Sequence, residues 1–210
     1  MTSNFRKNLL PTLARTSPVI FPIFLVLNCV LYPSFNSYYI FIMYFVINLT
    51  NFLLKNIIFK PIYTIFEKIN IPILGRGIRP DGANSCHFIL DNIDSKTFGM
   101  PSGHSQIAWA MATYFILKII FNYKNKNNSN NSNNSNNSNN STNPILKLNY
   151  LWIIISCILI YICAVYISYS RVYIEGCHTI QQVIFGSLFG IISGGLVYYY
   201  ENDIKILLKL

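Results

Sequence analysis

Charge is what this sequence has least of. Only 11% of its 210 residues are Asp, Glu, Lys or Arg, under half of the roughly 25% usual in soluble domains. Hydrophobic residues make up 52% and fall in long blocks, which excludes an ordinary soluble core and implies a chain that lives in a membrane. The net charge is +9, but no basic cluster or RNA-binding signature accompanies it. That excludes nucleic acid as a partner and suits a membrane surface and an anionic substrate. Paired Cys/His spacing is missing too, so no zinc site is expected. Of the five cysteines, Cys29, Cys157 and Cys163 lie in apolar runs and read as packing residues. Cys86 and Cys177 lie in polar loops on one expected face and could pair if that face is oxidising.

What is there is a series of apolar runs. The basic stretch 1–17 precedes a run from Pro18 to Tyr32, read as a retained first span because no small-residue cleavage site follows it cleanly. Tyr38 to Phe59 is a stronger second span, in which Asn48, Thr50 and Asn51 call for partners on neighbouring helices. Ile62, Ile65, Phe66 and Ile69 then recur at helical spacing, which predicts an amphipathic insertion on the membrane surface over 61–78. Spans three to five run over 103–121, 148–168 and 179–200. Between the third and fourth, an Asn/Ser tract predicts a disordered loop over 122–147. Gly186, Gly190 and Gly194 recur every four residues, a stripe that favours close helix packing. The expected fold is all-α: one domain over 1–210, a polytopic transmembrane helical bundle of about five spans. Five spans put loops 60–102 and 169–178 on one membrane face, with the active site at helix ends there.

Those two loops hold the polar chemistry. In Gly99-Met100-Pro101-Ser102-Gly103-His104-Ser105-Gln106, Ser102 can cap a helix and Gly103 lets backbone approach a ligand. The helix start favours an anion, with His104 beside it as a proton donor. The plainer reading is a capped helix with a histidine at its polar end. In the second loop, Arg171 ends one span and His178 opens the next. Arg171 could simply snorkel, and a lone histidine is more often structural than catalytic. Gln182, four residues on, shares a helix face with His178. Its amide oxygen can hold one ring nitrogen and leave the other as a nucleophile.

Together, Arg79-Pro80, Pro101-Ser102-Gly103-His104 and Ser170-Arg171 with His178 resemble the three-part signature of the type-2 phosphatidic acid phosphatase family. That family includes lipid phosphate phosphatases, polyprenyl diphosphate phosphatases and vanadium haloperoxidases. Within it, Gly99–Gln106, Ser168–Tyr173 and a glutamine at 182 look most like the dolichyl diphosphate phosphatases. Three departures stand out. The family lysine precedes Arg-Pro by seven residues, where this chain has Pro72, so Lys55 or Arg76 would supply that charge. Six residues separate Arg171 from His178 where five are usual, which a one-residue bulge could absorb. Gln182 is neutral where most members have a carboxylate, and Glu175 is the nearest acid that could compensate.

The resemblance implies a membrane enzyme that needs no metal or other cofactor. His178 would attack phosphorus and form a phosphohistidine, and His104 would protonate the leaving group. Arg79, Ser102, Gly103, Arg171, and Lys55 or Arg76 would bind phosphate. The expected substrate is a lipid phosphate or diphosphate, foremost a polyprenyl diphosphate. The alternatives are a phosphatidate phosphatase, a lipid phosphotransferase and an inactive membrane scaffold on the same fold. The expected location is an endoplasmic reticulum-type membrane, with the motif face lumenal or extracellular.

Overall fold

The structure, a computed structural model, describes residues 2–65, 75, 77–81, 83, 98–133 and 144–209; the side chains of 2–10 and 126–149 are outside the description. The described residues are helical throughout apart from short connections and one isolated bridge between Ile78 and Phe98. The helices are α1 (Thr2–Leu31), α2 (Phe35–Leu53), α3 (Lys60–Ile65), α4 (Gly103–Asn133), α5 (Pro144–Tyr169) and α6 (Ile180–Leu207). Two π-helical segments, Leu54–Phe59 and Ser170–Ile174, extend α2 and α5.

Among the described residues, four stretches are long and apolar enough to cross a membrane: Pro11–Leu31, Phe35–Ile65, Tyr150–Ile174 and Ile180–Leu207. The chain is an integral membrane protein. The expected fifth span, α4, falls outside this group for a physical reason. Its first turns carry Ser105 and Gln106, both fully buried, and no residue from Gly103 to Ile119 is exposed. A helix enclosed by other helices need not be apolar all round.

Other boundaries also differ from expectation. Lys60–Ile65, where the expected surface insertion begins, continues the α2 rod through the π-segment, because the helix is already nucleated and propagation is easier than starting afresh; 66–74 and 76 of that insertion lie outside the described residues. For the same reason α4 runs on to Asn133 into the Asn/Ser tract, and α5 begins at Pro144; 134–143 of the expected disordered loop lie outside the described residues.

Leu25 from α1, Tyr39, Tyr44 and Ile47 from α2, and Ile107, Met111 and Tyr114 from α4 form the buried core. Apolar side chains on α5 and α6, such as Leu159, Ile162, Leu188 and Ile192, point outward as a lipid-facing surface would. Of the polar residues in α2, Asn48 and Thr50 bond back to the carbonyls of Tyr44 and Val46 on their own helix, as such residues often do. Asn51 alone of the three reaches across, donating to Gln106 Oε1 at 2.7 Å.

The extensive α4–α6 contact follows from the glycine stripe. A Cβ on Gly186 would meet the carbonyl oxygen of Ser102 at 2.5 Å, and on Gly190 and Gly194 it would strike the carbonyls of Gln106 and Ala110. Only hydrogen at these positions allows the backbones to approach so closely. The stripe therefore sets how near the start of α6 lies to the start of α4.

The prolines of α1 have local consequences. Pro18 and Pro22 sit inside the helix and supply no N–H, so the carbonyls four residues earlier lose their helical partners. The Pro18 carbonyl accepts from the Tyr44 hydroxyl at 2.8 Å. The Ala14 carbonyl accepts from the Ser17 hydroxyl and from Arg171.

Candidate active site

The starts of α4 and α6, the π-segments after α2 and α5, and the short 77–81 stretch meet at one end of the bundle. Gln182 joins several of them. Thr179 caps α6, and Thr179 and Gln182 form a reciprocal capping box. The Gln182 carbonyl accepts from the Ser102 N–H at 3.0 Å. Its side-chain Nε2 donates to the carbonyls of Ile78 at 2.8 Å and Gly77 at 3.3 Å. A carbonyl only accepts, so the amide nitrogen must face that way and Oε1 must face His178 Nδ1, 2.9 Å distant. The Nδ1 of His178 therefore carries the proton, and its Nε2 keeps a lone pair. Gly99 lies against the same amide, where a Cβ would meet Oε1 at 2.5 Å.

Three cations surround this imidazole. Arg79 donates from Nη1 to the Cys177 carbonyl at 3.4 Å, and its Nε is buried without a partner among the described residues. Arg171 is fully buried. Its Nη2 donates to the Ala14 carbonyl at 2.8 Å, while Nε and Nη1 have no partner among the described residues. Lys55 lies within electrostatic range of both Arg79 and His178. An unsatisfied buried donor costs about 1–3 kcal/mol and more on a charged group. Three of them on two guanidiniums describe a place for an anion.

Burial, followed by the charge of Arg79, pushes the His178 imidazole down to about 3, against the opposing effect of its hydrogen bond to Gln182 Oε1. The ring is neutral at physiological pH, as a nucleophile must be. Burial also lowers the Arg79 guanidinium below its usual range.

Ser102 stands immediately before α4 and is fully buried. Its carbonyl accepts from the Gln106 N–H at 3.0 Å and its Oγ from the Ser105 hydroxyl at 3.2 Å. Gly103 opens the helix with Asn51 Oδ1 3.1 Å from where a Cβ would stand. His104 follows, partly buried.

The structure thus brings His178, Gln182, Arg79, Arg171 and Lys55 together, with Ser102 tied to them through Gln182. Arg76 lies outside the described residues. Glu175 is turned away from any role beside Gln182: Arg15 Nε and Nη2 hold its Oε2 at 2.8 and 2.7 Å. Cys177 is disulfide-bonded, while Cys29, Cys157 and Cys163 are free; Cys86 lies outside the described residues. Among the described residues no three His, Cys, Asp or Glu side chains gather as a metal site.

Two features escaped the sequence reading. Lys55 and Arg171 both sit on π-helical turns. The Lys60 N–H reaches back to the Lys55 carbonyl, and the Glu175 N–H to the Ser170 carbonyl, each across five residues. A π-turn holds one more residue than the α-turn it replaces and often marks a functional site. The extra residue between Arg171 and His178 coincides with such a turn inside the helix. The second feature is the Ala14 carbonyl, which the rule that proline frees the carbonyl at i−4 could have found.

The family model of the PAP2 superfamily matches residues 36–206. The chain belongs to the PAP2 superfamily. The superfamily includes phosphatases, which fits a cationic, anion-ready site beside a neutral histidine. The match spans α2 through nearly all of α6 and leaves α1 outside. No curated protein and no solved structure matches this PAP2 chain.

Proposed function

We propose that this protein hydrolyses a lipid phosphate or diphosphate, foremost a polyprenyl diphosphate, through a phosphohistidine. The observation that carries this reading is the set of orphaned donors, Arg79 Nε and Arg171 Nε and Nη1, beside a histidine held neutral with Nδ1 engaged. The lone pair on His178 Nε2 attacks phosphorus and forms a P–N bond. The P–O bond to the lipid oxygen, or to the lipid phosphate of a diphosphate, breaks. His104 gives its proton to that leaving oxygen. Water then attacks the phosphohistidine and gives its proton to His104; the P–N bond breaks and phosphate departs. Arg79, Arg171 and Lys55 offset the charge on the phosphoryl oxygens, with Ser102 and the Gly103 N–H as neutral donors.

The site's place at helix ends of a lipid-facing bundle favours an amphiphile whose phosphate lies at the headgroup plane. The likeness of the 99–106 and 168–173 motifs, together with Gln182, favours a polyprenyl diphosphate over phosphatidate. The disulfide at Cys177 supports an oxidising, lumenal or extracellular setting for this face, as in an endoplasmic reticulum-type membrane.

The test is phosphate release by the purified protein in detergent, with and without EDTA. Dolichyl diphosphate, a shorter prenyl diphosphate and phosphatidate are compared, with His178→Ala as control. The expected result is EDTA-resistant release, fastest from a prenyl diphosphate and lost in the variant. Release that persists in His178→Ala overturns the mechanism.

A further inference from the structure

Helix α1 lies outside the family-matched residues, yet two of its groups grip the segment that carries Arg171. The first is the Ala14 carbonyl. Pro18 has no N–H to offer it, so one lone pair takes the Ser17 hydroxyl at 2.8 Å and the other takes Arg171 Nη2 at 2.8 Å. The second is Arg15, whose Nε and Nη2 hold Glu175 Oε2 just past the π-turn. The Glu175 side chain is nearly buried, with 5% of its surface accessible. Together the two contacts fix both the guanidinium of Arg171 and the end of the turn it stands on.

Arg171 has no other protein partner for its side chain among the described residues, and its Nε and Nη1 stay unpaired and buried. The single bond to Ala14 thus decides where those two donors point. A planar guanidinium held at one nitrogen presents the others in a fixed fork, which suits a tetrahedral oxyanion.

We propose that α1 is a positioning element of the phosphate site. Pro18 frees the Ala14 carbonyl to orient Arg171, and the Arg15–Glu175 pair locks the π-turn behind it. The inference rests on the phosphatase reading for the role of Arg171. Pro18, Arg15 and Glu175 are positioning residues, since they act through Arg171 rather than on substrate. Pro18→Ala restores the N–H that would recapture the Ala14 carbonyl and leave Arg171 without an acceptor.

The experiment compares the full-length wild type with Pro18→Ala, Arg15→Ala, the charge swap Arg15→Glu with Glu175→Arg, and Pro22→Ala as control. The readouts are KM and kcat for the preferred lipid, and the shift in thermal midpoint on adding orthovanadate. Pro18→Ala should raise KM and weaken vanadate binding about tenfold, with kcat changed less. Its midpoint without vanadate should not fall, because removing an interior proline favours the helix. Arg15→Ala should move the same way, the charge swap should recover part of the loss, and Pro22→Ala should match the wild type. Wild-type KM and vanadate shifts in both Pro18→Ala and Arg15→Ala overturn the inference and leave the phosphatase reading standing. Should Arg15→Ala fail to fold, Pro18→Ala decides alone. A wild type that releases no phosphate but binds vanadate sinks the phosphatase reading, and the vanadate shifts of the variants still test this one. A wild type that does neither overturns both.

Discussion

His178 Nδ1 stands 2.9 Å from Gln182 Oε1, and the direction of that contact is set from its far side, where Gln182 Nε2 donates to the Ile78 carbonyl at 2.8 Å. The glutamine is thus a relay of fixed polarity between a loop carbonyl and the imidazole. A carboxylate could accept from His178 but could not donate to Ile78 and Gly77. Gln182→Glu should therefore lower kcat/KM by at least about tenfold, because two carbonyls lose their donor and face a negative charge. Steady-state kinetics on the folded variant check this. Equal or higher activity would mean that the loop carbonyls do not hold the amide.

The pH profile follows from the same residue. His178 is held down to about 3, mainly by burial, so it stays neutral well below the ordinary histidine range of about 6.5. The kcat/KM profile should show no acid limb near 6.5; any limb from this group falls near 3. The sign for stability is also set. The unfolded chain takes up a proton near 6.5 that the folded site refuses, so the contribution is complete above 6.5 and is lost as pH falls toward 3. Midpoints measured across that window should decline less in His178→Ala than in the wild type.

Arg171→Lys tests whether geometry or charge matters at that position. An ammonium is a point charge and cannot both hold the Ala14 carbonyl and present a planar pair of donors. We expect KM for the lipid to rise about tenfold or more, the value of a lost charged hydrogen bond. Kinetics indistinguishable from wild type would show that charge alone suffices.

Two glycines of α6 should respond in opposite ways. Gly186→Ala drives a methyl into the Ser102 carbonyl, whereas a Cβ on Gly195 meets nothing within 4 Å. The first should cost about 1–3 kcal/mol of stability and lower activity by moving Ser102 away from Gln182. The second should be neutral or stabilise by up to about 1 kcal/mol. Thermal midpoints and turnover of the two variants, measured together, give the comparison.

Far from the site, Glu201 accepts from Lys118 Nζ at 2.6 Å and from the Tyr114 hydroxyl at 3.0 Å. Glu201→Ala leaves the largely buried Lys118 ammonium without a counter-ion, bonded only to the Tyr114 hydroxyl at 2.8 Å, and should cost about 3 kcal/mol. Turnover per folded molecule should stay near wild type, since these residues lie about four turns along α4 from Ser102. A large loss of kcat without loss of stability would contradict this separation.

What the sequence made legible was the part written in local rules. Apolar runs predict spans, a glycine every fourth residue predicts close packing, and Thr179 with Gln182 marks a helix start. The three motifs could be read in order and the superfamily followed. What stayed hidden depends on tertiary contact. Nothing local says that Lys55 and Arg171 stand on π-turns. Nothing local sends Glu175 to Arg15, which lies 160 residues earlier. α4 misled for the opposite reason. Its polar first turns lie at the candidate site, and a count of apolar residues does not register that neighbouring helices enclose them. The prolines of α1 were visible throughout, but their freed carbonyls gain meaning only once Arg171 and Tyr44 are seen to use them.

The enclosure of α4 also bears on how the chain is made. The four apolar stretches can each enter a bilayer on their own hydropathy. α4 offers less, and the glycine face that receives it belongs to α6, which is synthesised after it. Between the two events the Ser105 and Gln106 side chains await their final neighbours. Assembly of this end of the bundle is thereby tied to synthesis of α6: a product truncated before α6 lacks both the Gln182 amide that holds His178 and the surface that seats α4.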